Sequence, residues 1–439
     1  MLLIYLPTIT PRSEYIFEFI FREELGISYR TTKDLIAFEK YTGEKINYSP
    51  HQIQDEFFIK ASGLLADDGL QRIDIPVAEK HQMKVLFPNE EDNVGFDIFS
   101  AAFYMLSRYE EYLPFNPDKY GRFKATESLA YQNKFLQIPI VDTWIICFKD
   151  ILLQKFSSLK IKPTAFKAIL TYDIDVAYKF KGRSLLRNGG STLKDISKFD
   201  FANIFERIQT LFNIKKDPWD IYDYLSGTIS EGKFQSVFFF LLGNKSANDR
   251  NLNYKNPRMK KLIKKVMSFS EIGIHPSFLS NAFPKKLWIE KERLENISQK
   301  KITKSRQHFL KFSLPDTYLN LLSAGITEDY SMGFAEMAGF RAGTCHPFYF
   351  YDLKNEKSTN LKLFPVTCME VTFMDYLQMP PEEALQNIYK LMKEVENVNG
   401  TFVSIWHNNT IIKTSAVKHW HWAHDQMLKK LERLIQIQN

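Results

Sequence analysis

The chain has 439 residues, 44% of them apolar and 25% charged, with 37 Phe and 21 Tyr. That is the composition of a soluble globular protein long enough for two or three domains, and it excludes a disordered or collagen-like chain. The net charge of +7 is uneven: residues 1–160 hold 18 Lys and Arg against 23 Asp and Glu, and the remainder 40 against 28. No run approaches 18 uninterrupted apolar residues, which excludes a membrane-spanning helix. The change of charge sign suggests two units with different surroundings.

In chain order, Leu2–Leu6 reads as a strand. No basic residue precedes this apolar start and Pro7 interrupts it, so it does not read as a secretion signal. A helix is predicted from Ser13 to Leu25 and a second from Phe96 to Tyr112, where Phe99, Ala102, Phe103 and Leu106 recur at helical spacing. Within the second, Arg108, Glu110 and Glu111 read as an ion-pair cluster joining domains. A third helix covers 142–156, and Ser157–Thr164, punctuated by Pro163, reads as a connection.

Beyond it the rhythm changes. Apolar strands are predicted at KAILTYDIDV, QSVFFFLLG, EIGIHPS, SRQHFLKF, GITEDYS, LKLFPVTCMEV and TFVSIWHNN. Between them lie helices near 199–213, 218–230, 256–268, 284–300, 315–324 and 380–398, with a last one near 415–437. Strands alternating with helices imply a mainly parallel α/β sheet, whose chemistry sits at the C-terminal strand ends. Cys147, Cys345 and Cys368 are too far apart for a disulfide framework or a zinc finger, and a reducing, cytoplasmic location is expected. The basic residues are interspersed with acids and no nucleic-acid-binding motif accompanies them, so no nucleic acid partner is expected.

Four strand ends carry polar groups. Asp173 and Asp175, at i and i+2, share a strand face; the pair reads either as a general base beside a metal ligand or as acids capping a strand end. His275 ends a second strand. Arg306 and His308 share a face of a third, and Trp406 and His407 end a fourth. Arg341, in the glycine-rich GFRAGTCHP, is either an anion-binding side chain over the site or part of a tight turn. Asp329 either pairs with a site residue or caps a turn. His421 and His424 in HWHWAH have the i, i+3 spacing that metal sites use, but read as an amphipathic surface.

In order and spacing these motifs resemble the polysaccharide deacetylase family, the NodB homology domain of carbohydrate esterase family 4, over about Lys167–Lys413. The SRYEEYLP helix is also similar to the N-terminal region of bacterial members of a deacetylase-like subgroup. The resemblance implies a distorted (β/α) barrel of the NodB type over 165–439, preceded by a smaller α/β N-terminal domain over 1–160. It implies Asp173 as general base, Asp175 and His275 as ligands of a divalent metal, zinc, Arg306 as the group orienting the base, and His407 as the proton donor to a leaving amine. Trp406 and Arg341 become candidate substrate contacts. The substrate class is an N-acetylated saccharide or glycan, losing an N-acetyl or O-acetyl group by hydrolysis. The chain departs from the pattern at Leu279, where the family's second metal histidine stands; His308 or His346 is the candidate replacement. A D-x-D glycosyltransferase and a catalytically degenerate glycan-binding scaffold are the competing functions.

Overall fold

The computed structural model describes residues 1–232, 234–412 and 418–438. Near the N-terminus, β1 (Leu2–Tyr5), β2 (Tyr29–Thr32), β3 (Lys45–Ser49) and β4 (Phe57–Lys60) form a parallel sheet of order β2-β1-β3-β4. A hairpin of β5 (Val77–Lys80) and β6 (Met83–Leu86) follows. The remaining strands are β7 (Lys167–Ile174), β8 (Gln235–Phe240), β9 (Glu271–Ile274), β10 (Lys304–Ser305), β11 (Glu328–Asp329), β12 (Phe348–Asp352), β13 (Lys357–Leu363), β14 (Cys368–Met369) and β15 (Thr401–His407). They make one sheet, in the order β12-β13-β11-β10-β9-β8-β7-β15-β14, parallel except for the β12–β13 pair.

The α/β class with a mainly parallel sheet is as expected. A closed barrel is not found among the described residues: β12 and β14 are free edges. β12 returns antiparallel on β13 instead of continuing the parallel order, and β14 is only two residues long. Several helices also differ from expectation. The first is α-helical only over Pro11–Phe17 and continues as a π-helix over Glu18–Glu24. The second stops at Leu106, where Arg108 turns left-handed at φ 54°. A helix over Leu185–Ser197, rich in Gly and Ser, was not predicted.

β7 is buried from its second residue on, as a central parallel strand covered on both faces must be. Its alternation sorts the chain. Ala168, Leu170, Tyr172 and Ile174 join the main core, while Ile169 packs with Val237, Phe239, Tyr330 and Val403 in a small cluster on the other face. Asp173 lies two register positions beyond Thr171 on that second face, and pairs in register with His407 of β15 and Phe239 of β8.

The N-terminal sheet and the long sheet lie on either side of the 157–166 connection, but the main core is continuous across both. Polar ties cross as well. Arg12 donates to Glu356, and Tyr15 donates to the Tyr349 carbonyl at 2.8 Å. Gly339, at φ 144°, passes so close to Leu136 that a Cβ there would lie 2.5 Å from its carbonyl oxygen.

Candidate active site

Asp173, Asp175, His275, His308 and His407 line one open cleft of about 670 Å³ at the C-terminal ends of β7, β9 and β15. Asp175 Oδ1 stands 3.2 Å from His275 Nε2, and Asp175 Oδ2 is 3.5 Å from His308 Nε2 and 3.8 Å from His407 Nε2. Ligand atoms of Asp175, His275 and His308 all fall within 4.8 Å of one another.

The opposite nitrogens fix which ring atom faces the cleft. His275 Nδ1 is 2.5 Å from the Arg306 carbonyl oxygen, which only accepts, so Nδ1 carries the proton. His308 Nδ1 is 3.0 Å from the buried carboxylate of Asp249 and donates to it. Both rings therefore turn Nε2 toward Asp175. Carboxylate–histidine pairs of this kind orient metal-binding imidazoles. Asp175 Oδ1 faces His275 Nε2 without the alignment of a hydrogen bond, and Asp173 Oδ1 has no hydrogen-bond partner among the described residues. Two acceptors facing each other in a buried site call for a cation or a proton between them.

The electrostatics agree. Burial opposes ionisation of Asp175, but His308, His275 and His407 outweigh it and hold the carboxyl well below the usual range. Burial lowers His308, yet Asp175 and Asp249 raise it to about 9. A donor set of two imidazole nitrogens and one carboxylate oxygen fits zinc and similar divalent ions.

His308 reaches the cleft, with Arg306 buried behind it, in a way the sequence did not show. The strand predicted over SRQHFLKF ends at Ser305, and a 3-10 turn follows at His308–Leu310. Phe309 and Leu310 both adopt positive φ, 64° and 49°, an uncommon and strained conformation for bulky residues. That turn brings His308 beside His275, with ring centroids 4.9 Å apart. Arg306 is fully buried on the small-cluster face. It donates to Thr171 Oγ1 at 2.7 Å, stacks on Phe239, and directs Nη1 toward Asp173 Oδ1 at 3.7 Å. Leu279 sits in a separate 3-10 turn, Phe278–Ser280, and does not line the cleft.

His407 Nδ1 is 2.9 Å from Glu370, a buried carboxylate that also accepts from the His407 backbone N–H and from Thr410 Oγ1. Burial lowers the pKa of His407, but Glu370, Asp175 and Asp173 raise it to about 10. Glu370 and Asp249 were not singled out in the sequence. Glu370 follows an apolar strand, the signal that marked Asp173; Asp249 lies in a polar loop with no such signal.

Other expected residues are elsewhere. Trp406, one position from His407, points to the opposite face of β15, where its ring meets His424 edge-on at 4.9 Å. Arg341 is buried, and its guanidinium is used up by Glu111 and the Gly333 carbonyl. His346 joins Asp142 and Cys345 near Gly400, at the opposite end of β15, with Glu24 2.9 Å away. Asp142 there accepts from Thr344 Oγ1 and from the Cys345 backbone N–H, a tie between helix and loop. Asp329 accepts from Ser305 and Ser331. His421 and His424 are core residues and not a surface stripe; burial, with His421 adding to it, lowers His424 to about 3 between the hydroxyls of Tyr172 and Tyr224.

The cleft wall also includes Lys119, Tyr120 and Arg122 from the N-terminal region. Arg122 donates to the Phe309 carbonyl at 2.7 Å, which buttresses the strained turn after His308.

Gly273, two residues before His275, is required for close packing: a Cβ there would lie 2.5 Å from the Phe239 ring and 2.8 Å from the Lys304 carbonyl. Gly273→Ala is expected to cost about 2 kcal/mol of stability through overpacking, read as a lowered denaturation midpoint. An unchanged midpoint would show that β9 and β10 can separate freely.

Residues 2–157 match a family of unknown function (DUF7033). No curated protein matches the chain. Among solved structures, the chain is similar to a protein from Mycobacterium smegmatis assigned to the polysaccharide deacetylases, with TM-score 0.40 and 14% identity over 62% of this chain and 86% of that one. A polysaccharide deacetylase from Bacillus cereus gives 0.31 and 13% over 61% and 88%. A CE4 family pseudoenzyme from Bacillus anthracis gives 0.31 and 12% over 62% of each chain. With likeness this distant, the site's own geometry has to carry the functional reading.

Proposed function

We propose that the chain is a metal-dependent hydrolase that removes an acetyl group from an N-acetylated saccharide or glycan. The observation that carries this reading is the convergence of Asp175, His275 Nε2 and His308 Nε2, with the far nitrogen of each ring held by the Arg306 carbonyl or by Asp249. These three residues would hold the ion. When bound there, a divalent ion such as zinc supplies a Lewis acid that polarises the amide carbonyl and acidifies water.

The residues around them divide the remaining work. Asp173, which lines the cleft with Oδ2 3.7 Å from His275 Nε2, accepts a proton from the attacking water. Arg306, anchored on Thr171 and Phe239, keeps the Asp173 carboxylate oriented. His407, held protonated by Glu370, gives a proton to the departing nitrogen. Acetate and an amine result. The saccharide assignment draws on the motif resemblance and on the open cleft, whose walls offer the rings of Tyr120, Phe309 and Tyr376.

Incubating the zinc-loaded protein with N-acetylglucosamine oligomers is expected to release acetate. Asp173→Asn is expected to reduce the rate by about a thousandfold while leaving bound metal unchanged, the middle of the range for losing a general base. Acetate release that survives Asp173→Asn would remove Asp173 from the mechanism. Tight binding of a nucleotide-sugar without acetate release would instead favour a D-x-D transferase.

A further inference from the structure

Between β7 and β8 the chain leaves the sheet as a helical hairpin, Leu185–Ser197 and Phe201–Leu211. Its polarity is inverted. The polar side chains face inward: Arg207, buried, pairs with Asp195 and donates to Thr192 Oγ1, and Asn203 donates to Asp195. The apolar ones face out. Ten large apolar side chains in residues 186–214 are exposed, Leu186 at 90%, Phe199 at 80% and Phe212 at 75%. An exposed apolar surface of this density marks an interaction site. Phe199, at the tip between the helices, adopts φ 55°, where Gly or Asn is the residue that folding alone would favour. Residues 179–216 also contain nine Lys and Arg against three Asp and Glu, a net +6. Lys194, Lys198 and Lys215 are exposed among the apolar side chains.

We propose that this hairpin docks the protein peripherally on an anionic lipid bilayer, its Phe and Leu side chains entering the interface and its lysines meeting the headgroups. Exposed apolar side chains interleaved with lysine are what such an interface takes up. Two copies meeting through this face would oppose like charges, which disfavours self-association as its purpose. The hairpin crosses no membrane: no described helix is long and apolar enough to do so. Its root is rigid and close to the cleft. Asp217 accepts from the backbone N–H groups of Lys179, Phe180 and Lys181, and Asn408, next to His407, donates to the carbonyls of Val176 and Trp219. Docking would therefore hold the cleft in a set orientation near the lipid surface, whatever reaction it performs.

The test is flotation of the full chain with vesicles of phosphatidylcholine alone and of vesicles enriched in phosphatidylglycerol. Binding is expected to the second and to be weakened by salt. The triple variant Phe199→Ser, Phe205→Ser, Phe212→Ser changes exposed side chains only; it is expected to keep its unfolding midpoint and bind at least about tenfold more weakly. Equal binding to both vesicle types would overturn the anionic part of the proposal. Unchanged binding by the triple variant would overturn the assignment to the hairpin. Absence of vesicle binding, with wild type dimeric and the variant monomeric by light scattering, would show a self-association face and overturn the proposal entirely.

Discussion

Asp175→Ala is expected to take the protein from about one divalent ion per chain to trace metal, measured by elemental analysis after purification in zinc. Asp175 lies within 4 Å of all three cleft histidines, at 3.2, 3.5 and 3.8 Å. Without it only Asp173, 3.7 Å from His275 Nε2, faces the two imidazoles, and His308 Nε2 loses its carboxylate, which leaves a weak site. His308→Ala is expected to have the same effect on metal content with the fold retained, because His308 supplies the second imidazole that Leu279 does not. Asp249→Ala acts one bond further out. It frees the His308 ring and is expected to lower zinc affinity by about ten- to a hundredfold, the usual effect of losing an orienting carboxylate. Saturating zinc is expected to raise the unfolding midpoint of wild type and leave that of Asp175→Ala unmoved. Trace metal in wild type and variants alike would end the metal reading, and with it the hydrolase. Leu279→His is not expected to restore metal to His308→Ala, since that side chain lies in a turn off the cleft.

How far the sequence led depended on how local each signal was. The strands β7, β8 and β15 are long apolar runs buried on both faces, and such runs announce themselves. Asp173 and His407 were legible because each closes one of those runs. His308 was legible as a residue type at a plausible distance from Arg306, but for the wrong reason: a two-residue strand and a strained turn place it, not strand alternation. Trp406 shows the same rule working in the other direction. The period of two that brings His407 to the cleft sends its neighbour into the core on the opposite face, and the parity could have been applied to it from the start. Arg341 could not have been resolved this way. Its partner Glu111 lies 230 residues earlier, and nothing in a glycine-rich loop tells whether an arginine meets a substrate or a buried acid. The N-terminal strands β2, β3 and β4 are short and flanked by polar residues, and their pattern is too weak to separate from loop.

That distant pair gives the largest expected effect on stability. Glu111 accepts from Arg108 Nε at 2.7 Å and, through both oxygens, from Arg341 Nε at 2.8 Å and Nη2 at 2.5 Å; all three side chains are almost fully buried. Phe312 and Phe334 lie against the Arg341 guanidinium, so water cannot replace the lost acceptor easily. Glu111→Ala leaves two buried cations, one without any carboxylate and one with Glu110 alone. It is expected to cost about 3–5 kcal/mol, the range for breaking a buried ion pair from one side. The double variant Glu111→Leu, Arg341→Met removes the charge along with its partner and is expected to recover much of that loss. If the double variant is as unstable as the single, packing and not charge holds this joint. The pH dependence has a definite sign. Burial raises the Glu111 carboxyl, but Arg341 and Arg108 outweigh it and hold it below its ordinary value of 4.5. A depressed folded pKa contributes stability that is fully present above about 4.5 and is lost as pH falls through the folded value. Urea unfolding at pH 7 and pH 4 is therefore expected to separate wild type from Glu111→Ala more widely at pH 7. The joint links the N-terminal region to the Gly333 carbonyl, two residues from Ala335 in the cleft wall. Its loss is expected to loosen that wall before it loosens the ligand strands, with bound metal outlasting the rise in local hydrogen exchange around Gly333.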